Sequence, residues 1–155
     1  MRRTLFLLGL LLLTFLPAQA GKTPPKVILR IHVQTTGEGQ SPMETSHVRI
    51  PPNGEDILVR AIPEVSEIQL IDAQQDTDGL HLRFNHTGTV DLNAATAQNQ
   101  GRILVVLLDG VVIYAPTIDT QITTGELDIP HQIPANILAL LQQVAAQNLR
   151  QQNKS

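Results

Sequence analysis

The sequence predicts an α+β domain: an antiparallel (mixed) β-sheet with two helices packed on one face, in the order β-β-β-β-α-β-β-β-α. Three observations carry this. Short apolar runs with period-two alternation fill the first half of the chain. Asp109-Gly110 sits between two β-rich runs, the strongest short hairpin signal in the chain. Apolar residues at helical spacing gather near the C-terminus, and a stretch of small residues in mid-chain reads as a second helix.

The chain of 155 residues suits one domain, placed here over 27–149. Hydrophobic residues make up 42% and aromatic ones only 3%, so the core must be aliphatic. The absence of cysteine excludes disulfides, thiolate metal sites, a thiol nucleophile and a lipid-modified N-terminal cysteine. Residues 1–20 read as an export signal. Arg2-Arg3 is followed by an apolar run from Leu5 to Leu16, then Pro17 and the small-x-small site Ala18-Gln19-Ala20. The run is short for a membrane span, which needs about 20 residues. No later segment is long and apolar enough, so the mature chain is expected to carry no integral membrane segment. Cleavage after Ala20 leaves 9 Lys+Arg against 14 Asp+Glu, a net charge of −5. That acidity argues against nucleic acid as a partner.

Residues 21–26, with Pro24-Pro25, form an extended leader. From Leu29 to Val33 the alternation puts Leu29, Ile31 and Val33 inward and Arg30 and His32 outward, as in a half-buried strand. Thr35 to Ser46 is a loop by composition. His47 to Ile50 is a strand ended by Pro51-Pro52, and Asn53-Gly54 marks a turn. Ile57 to Arg60 suits a strand or irregular structure. Glu67 to Ala73 reads as a strand, with Ile68 and Leu70 sharing a phase. The turn Asp76-Thr77-Asp78-Gly79 joins it to Leu80–Phe84 as an antiparallel hairpin.

Thr87 or Thr89 caps a helix running to about Gln100, whose thin inner face holds Leu92, Ala95, Thr96 and Asn99. Gly101 suits the left-handed stop. Ile103 to Leu108 is apolar on both phases, so it is expected as a central strand covered on both faces. Val111 to Tyr114 returns and Ala115-Pro116 ends it. Ile118 and Ile122 lie on a connector, and Gly125 turns into a last strand, Glu126 to Ile129. Pro134 opens the final helix. Its apolar stripe is Ile137, Leu138, Leu141, Val144, Ala145 and Leu149, with Leu140 outside it. Gln142, Gln143, Gln147, Gln151 and Gln152 form its solvated face, and 150–155 is a frayed polar tail.

The pattern Gly88, Thr96, Asn99, Gly101-Arg102, an aliphatic strand, Asp109-Gly110, a short strand ending Ala115-Pro116, then Ile118 and Gly125 resembles the SecD family. It is similar to the head subdomain of the first periplasmic domain of the SecD/SecDF translocase subunit, over roughly Leu80 to Leu149. The strand after Gly125 departs from the family in Ile129-Pro130-His131. The resemblance implies a fold and a polypeptide-binding surface. It does not imply proton-driven translocation, and it carries over no catalytic residue.

Of the histidines, His32, His47, His81, His86 and His131, none pairs at the spacing of a metal site, so all are read as solvated and no metal or cofactor is expected. The serines, Ser41, Ser46, Ser66 and Ser155, lack a nucleophile elbow. Asp109 is read as a turn former rather than a general base. Asp72, Asp76 and Asp78 lack the ligand periodicity of a calcium loop. Asn85-His86-Thr87 matches a glycosylation sequon but is read as the helix entry. The function expected is that of an exported, periplasmic or secreted, non-enzymatic domain that binds protein or peptide, using a sheet edge. Two alternatives stand beside it. One is an accessory subunit docked on a membrane complex, which calls for a flat apolar patch. The other is an enzyme of unrecognised type, which calls for a pocket of convergent polar groups.

Overall fold

The computed structural model describes residues 26–153. The export signal at 1–20, the leader up to residue 25 and the last two residues of the tail lie outside the described residues.

The organising strand is β7 (Leu104–Leu108). It pairs antiparallel with β1 (Leu29–Val33), Leu29 opposite Leu108 and Val33 opposite Leu104. On its other side lies β8 (Val111–Tyr114), reached through Asp109-Gly110. Both turn residues have positive φ (50° and 83°), the backbone that a two-residue hairpin of the strand-matching hand requires. The short β4 (Val65–Ser66) completes a four-stranded sheet in the order β4-β1-β7-β8. A second sheet, in the order β5-β6-β9, is built from Leu70–Gln75, Leu80–Phe84 and Glu126–Ile129. The hairpin of β2 (Thr45–Ile50) and β3 (Glu55–Arg60) stands apart as a two-stranded sheet. The antiparallel strands and two helices that the sequence implies are all present, with the strands distributed over three sheets.

One aliphatic core fills the space between the two larger sheets and the helices. Leu29, Ile31 and Val33 meet Leu104 and Val106 there, with Leu80, Leu82 and Phe84 from the second sheet. Helix α1 (His86–Gln98) adds Leu92 and Ala95, and α2 (Ala135–Gln152) adds Leu141, Val144 and Ala145. Val105 points the other way, into a smaller cluster with Ile57 and Val59 of the β2–β3 hairpin, and Leu107 packs against that cluster. β7 is therefore covered on both faces, as its continuous apolar run requires.

That hairpin also corrects the expectation for His32. The alternation points His32 away from the main core, but β3 lies over that face and leaves it only 4% exposed. Its Nδ1 is 2.8 Å from the Arg60 carbonyl oxygen. Burial pushes the imidazole below its ordinary range, assisted by Arg30 and opposed by the Arg60 carbonyl. Gln34 and Thr35 continue the line of β1 and tie the hairpin on, Thr35 N–H donating to the Leu58 carbonyl at 2.8 Å.

Four other expectations change. Glu67–Gln69 forms a 3-10 turn rather than strand, leaving Ile68 70% exposed, and β5 starts only at Leu70. Gln69 fixes this turn: its Oε1 accepts from Ser66 N–H and its Nε2 donates to Asp91 of α1. The cap of α1 is Asn85, not Thr87 or Thr89; its Oδ1 accepts from Gly88 N–H at 2.9 Å. Thr87 and Thr89 lie two and four residues further in, already inside the helix, and Thr89 Oγ1 donates back to the Asn85 carbonyl at 2.9 Å. In α2, Leu149 is exposed and Leu140 packs on the core instead. Leu140 flanks Val144 on the helix surface. Asn148, which donates to the Glu67 and Leu70 carbonyls at 2.8 Å each, anchors the helix one residue before Leu149. The helix runs on through Gln152, so the tail begins later than its composition suggests.

Candidate functional site

An edge strand leaves one row of backbone N–H and C=O groups without a neighbouring strand. Among the described residues β8 pairs only with β7, and β2 pairs only with β3. These two free margins flank a groove of about 500 Å³. Ser46, His47, Val48, Arg49 and Pro51 line it from the β2 side; Gly110, Val111 and Val112 line it from the β8 side, with Leu107 between. The β8 margin, Val111-Val112-Ile113-Tyr114, carries no charged side chain and no proline to block a further strand. Val111 is 63% exposed and the next three residues are half-buried. The site is built by the Asp109-Gly110 turn. Asp109 Oδ1 accepts from Ile28 N–H at 2.8 Å, and Asp109 N–H donates to the Ile28 carbonyl, so its carboxylate is turned to β1 and away from the groove.

The residues of the sequence pattern hold the neighbouring backbone in place. Gly88 packs so closely that a Cβ there would lie 2.8 Å from Phe84 Cβ and 3.0 Å from Gln69 Cβ. Buried Thr96 donates to the Leu92 carbonyl and accepts from Ile122 N–H at 3.0 Å. Asn99 closes α1 by donating to the Ala95 carbonyl. Gly101 N–H donates to the Ile118 carbonyl, and Leu104 N–H to that of Pro116, next to Ala115 at the end of β8. The Gly125 carbonyl accepts from Phe84 N–H, and a Cβ at Gly125 would collide with Thr89. Together they lock the connector 115–125 against α1 and β7; of the pattern residues only Gly110 lines the groove.

A second polar surface lies on the outer face of the β5-β6-β9 sheet, around a hollow of about 420 Å³. His81 stands at its centre. Its Nδ1 is 2.7 Å from Asp128 Oδ1 and its Nε2 is 3.1 Å from Asp76 Oδ1. The Asp128 and then the Asp76 hydrogen bond raise the His81 pKa, and His81 with the Asp78 and Gly79 N–H groups lowers that of Asp76. Arg83 faces Asp72 at 3.5 Å. His81 thus bridges two carboxylates, and Arg83 and Asp72 form a separate exposed pair. Asp76 and Asp78 do not converge on an ion: Asp76 Oδ1 accepts the Asp78 and Gly79 N–H groups of the turn. Among the described residues no three His, Asp or Glu side chains gather as a metal site. His47, His86 and His131 are exposed. Met43 and Ile62, 90% and 81% exposed, border a further hollow of about 440 Å³.

Sequence reasoning found the β8 strand and its turn but missed the groove, because the groove depends on where the β2–β3 hairpin lies. The alternation of Val48, Ile50, Ile57 and Val59 around Pro51–Gly54 was the available signal.

The family model described as SecDF, P1 head subdomain, matches residues 42–146. Two solved structures are similar in fold. One is of a membrane component SecDF that enhances protein export, at 20% identity and a TM-score of 0.55, covering 79% of this chain and 63% of that one. The other is of SecDF in its super-membrane-facing form, at 21% identity and a TM-score of 0.55, covering 79% of this chain and 19% of that one. The chain thus spans less than two thirds of either. No curated protein sequence matches it. Among the described residues no helix is long and apolar enough to cross a membrane.

Proposed function

Because the chain belongs to the SecDF P1 head subdomain family, we propose that it is an exported, non-enzymatic domain that holds extended polypeptide during protein export, outside the cytoplasmic membrane. The observation that carries this reading is the β8 margin: an uncharged, exposed strand edge beside an apolar-floored groove. A polypeptide added there gains main-chain hydrogen bonds that demand little of its sequence, which suits a protein that meets many substrates. The description of one similar structure as a membrane component that enhances protein export supports the same direction. The export signal at residues 1–20 supports the location. The ion-paired outer face around His81 supports a structural rather than a catalytic use of its polar residues.

The test is site-specific photo-crosslinking in cells that export the full chain. A photoreactive residue at Val111 should capture unfolded exported polypeptides, while one at Gln98, exposed on α1, should not. The recovered protein should begin at Gly21. Equal capture at both positions, or capture at neither, would sink the polypeptide-binding reading.

A further inference from the structure

The groove is chemically unlike the rest of the surface. The chain as a whole is acidic, with a net charge of −3. Four other hollows on the described surface each include at least one Asp or Glu in their lining. The groove between β2 and β8 includes none, and it presents Arg49 and His47 above a floor of Leu107, Val48 and Val112. The strand pattern explains this layering. Along β2, Val48 and Ile50 turn in against the Ile57–Val59–Val105 cluster, so His47 and Arg49 turn out. Arg49 is opposed by Asp56 on β3, but at 3.4 Å between groups 73% and 54% exposed, which leaves the guanidinium open to a second anion.

An extended chain paired on β8 turns alternate side chains to the two faces of that sheet: one set to the groove beside Val112, His47 and Arg49, the other to the face of Ile113 and Tyr114. From this we infer that the groove takes extended segments that alternate apolar and acidic residues, and disfavours those that alternate apolar and basic ones. The apolar set lies beside Ile113 and Tyr114; the acidic set enters the groove toward Arg49 and His47. Arg49 sets the sign, and His47 adds a ring N–H donor that a carboxylate can accept. Main-chain pairing supplies binding without regard to sequence, and the outer layer adds a charge preference. This inference rests on the polypeptide-binding reading above.

Capped peptides alternating valine with aspartate, serine or lysine test it by fluorescence anisotropy on the intact exported domain. The aspartate peptide should bind about three- to fivefold more tightly than the lysine peptide at low salt, with the serine peptide between, as expected for exposed charge contacts. Arg49→Glu should reverse the order, and Asp56→Asn should widen the wild-type gap by freeing Arg49. If all peptides bind alike and Arg49→Glu changes nothing, the charge preference is wrong while the polypeptide-binding reading stands. If none binds, the groove is not a peptide site and both fall.

Discussion

Two residues show how much a single side chain can decide. Gly88 is helical, and replacing a helical glycine by alanine ordinarily stabilises by about 0.5–1 kcal/mol. Here the new methyl group would meet Phe84 Cβ at 2.8 Å, a backbone-proximal atom that cannot swing away. Overpacking of that kind costs about 1–3 kcal/mol, so Gly88→Ala should destabilise by roughly 1–2 kcal/mol in a denaturant titration. A gain in stability would show that α1 does not sit this close to β6. His81 governs a pH response. A neutral imidazole has one N–H, so only the imidazolium donates to Asp128 and Asp76 together. Its pKa is raised above the ordinary 6.5, so its stabilisation is complete below about pH 6.5 and fades as pH rises through the raised value. Asp76 is lowered from 3.8, so its share is present above that pH and is lost as the solution becomes more acid. The clamp therefore acts fully between those limits. His32 works in the opposite sense, since a buried neutral imidazole is penalised as pH falls. Comparing melting temperatures of wild type and His81→Gln from pH 4 to 9 isolates the clamp. The difference should be largest at mildly acid pH and shrink above neutrality, and a difference independent of pH would refute it.

At the scale of the element, centre and margin of one sheet should differ sharply. Leu104 on β7 is 1% exposed, so Leu104→Ala should cost about 2–5 kcal/mol through lost burial and a cavity. Val111 at the open margin should tolerate alanine to within about 0.5 kcal/mol. Equal losses in the two variants would mean that β8 is covered in solution. The same contrast explains what was legible in the sequence. Ile103–Leu108 and Asp109-Gly110 announce a covered strand and its hairpin, because run length and turn chemistry are local signals. Leu80–Phe84 does so by clean alternation. Glu67–Gln69 misleads, since Ile68 and Leu70 share a strand phase; the deciding bonds come from Gln69 to Asp91 and from Asn148 to Glu67 and Leu70, 22 or more residues apart. Asn85 reads as the helix entry, but Thr87 and Thr89 compete for its capping role in the sequence, and only the backbone decides between them. The alternation of β1 points His32 to solvent, because nothing within that strand shows that β3 covers it.

For the whole molecule, a family pattern confined to residues after Leu80 pointed to a fold that the family match extends back to residue 42. The earlier half offers weaker landmarks, because β2 and β3 rest on alternation and a Pro51–Gly54 turn, signals that many sequences share. The groove was invisible for a related reason: it is a gap between two strand margins more than 50 residues apart in sequence, and neither margin carries a motif. The division of strands over three sheets likewise reflects tertiary placement. A continuous sheet would have left one apolar face bare; the arrangement instead closes β7 between a large core and a small one.

The small core is the feature with the widest consequence. Ile57, Val59 and Val105 are its buried members, Leu107 and Val112 pack against them, and the Thr35 N–H bond to the Leu58 carbonyl fastens the hairpin alongside. The two walls of the groove therefore stand on different footings, the β2 wall on the small core and the β8 wall on the four-stranded sheet, so a substitution at Val105 should reach the groove through one wall alone.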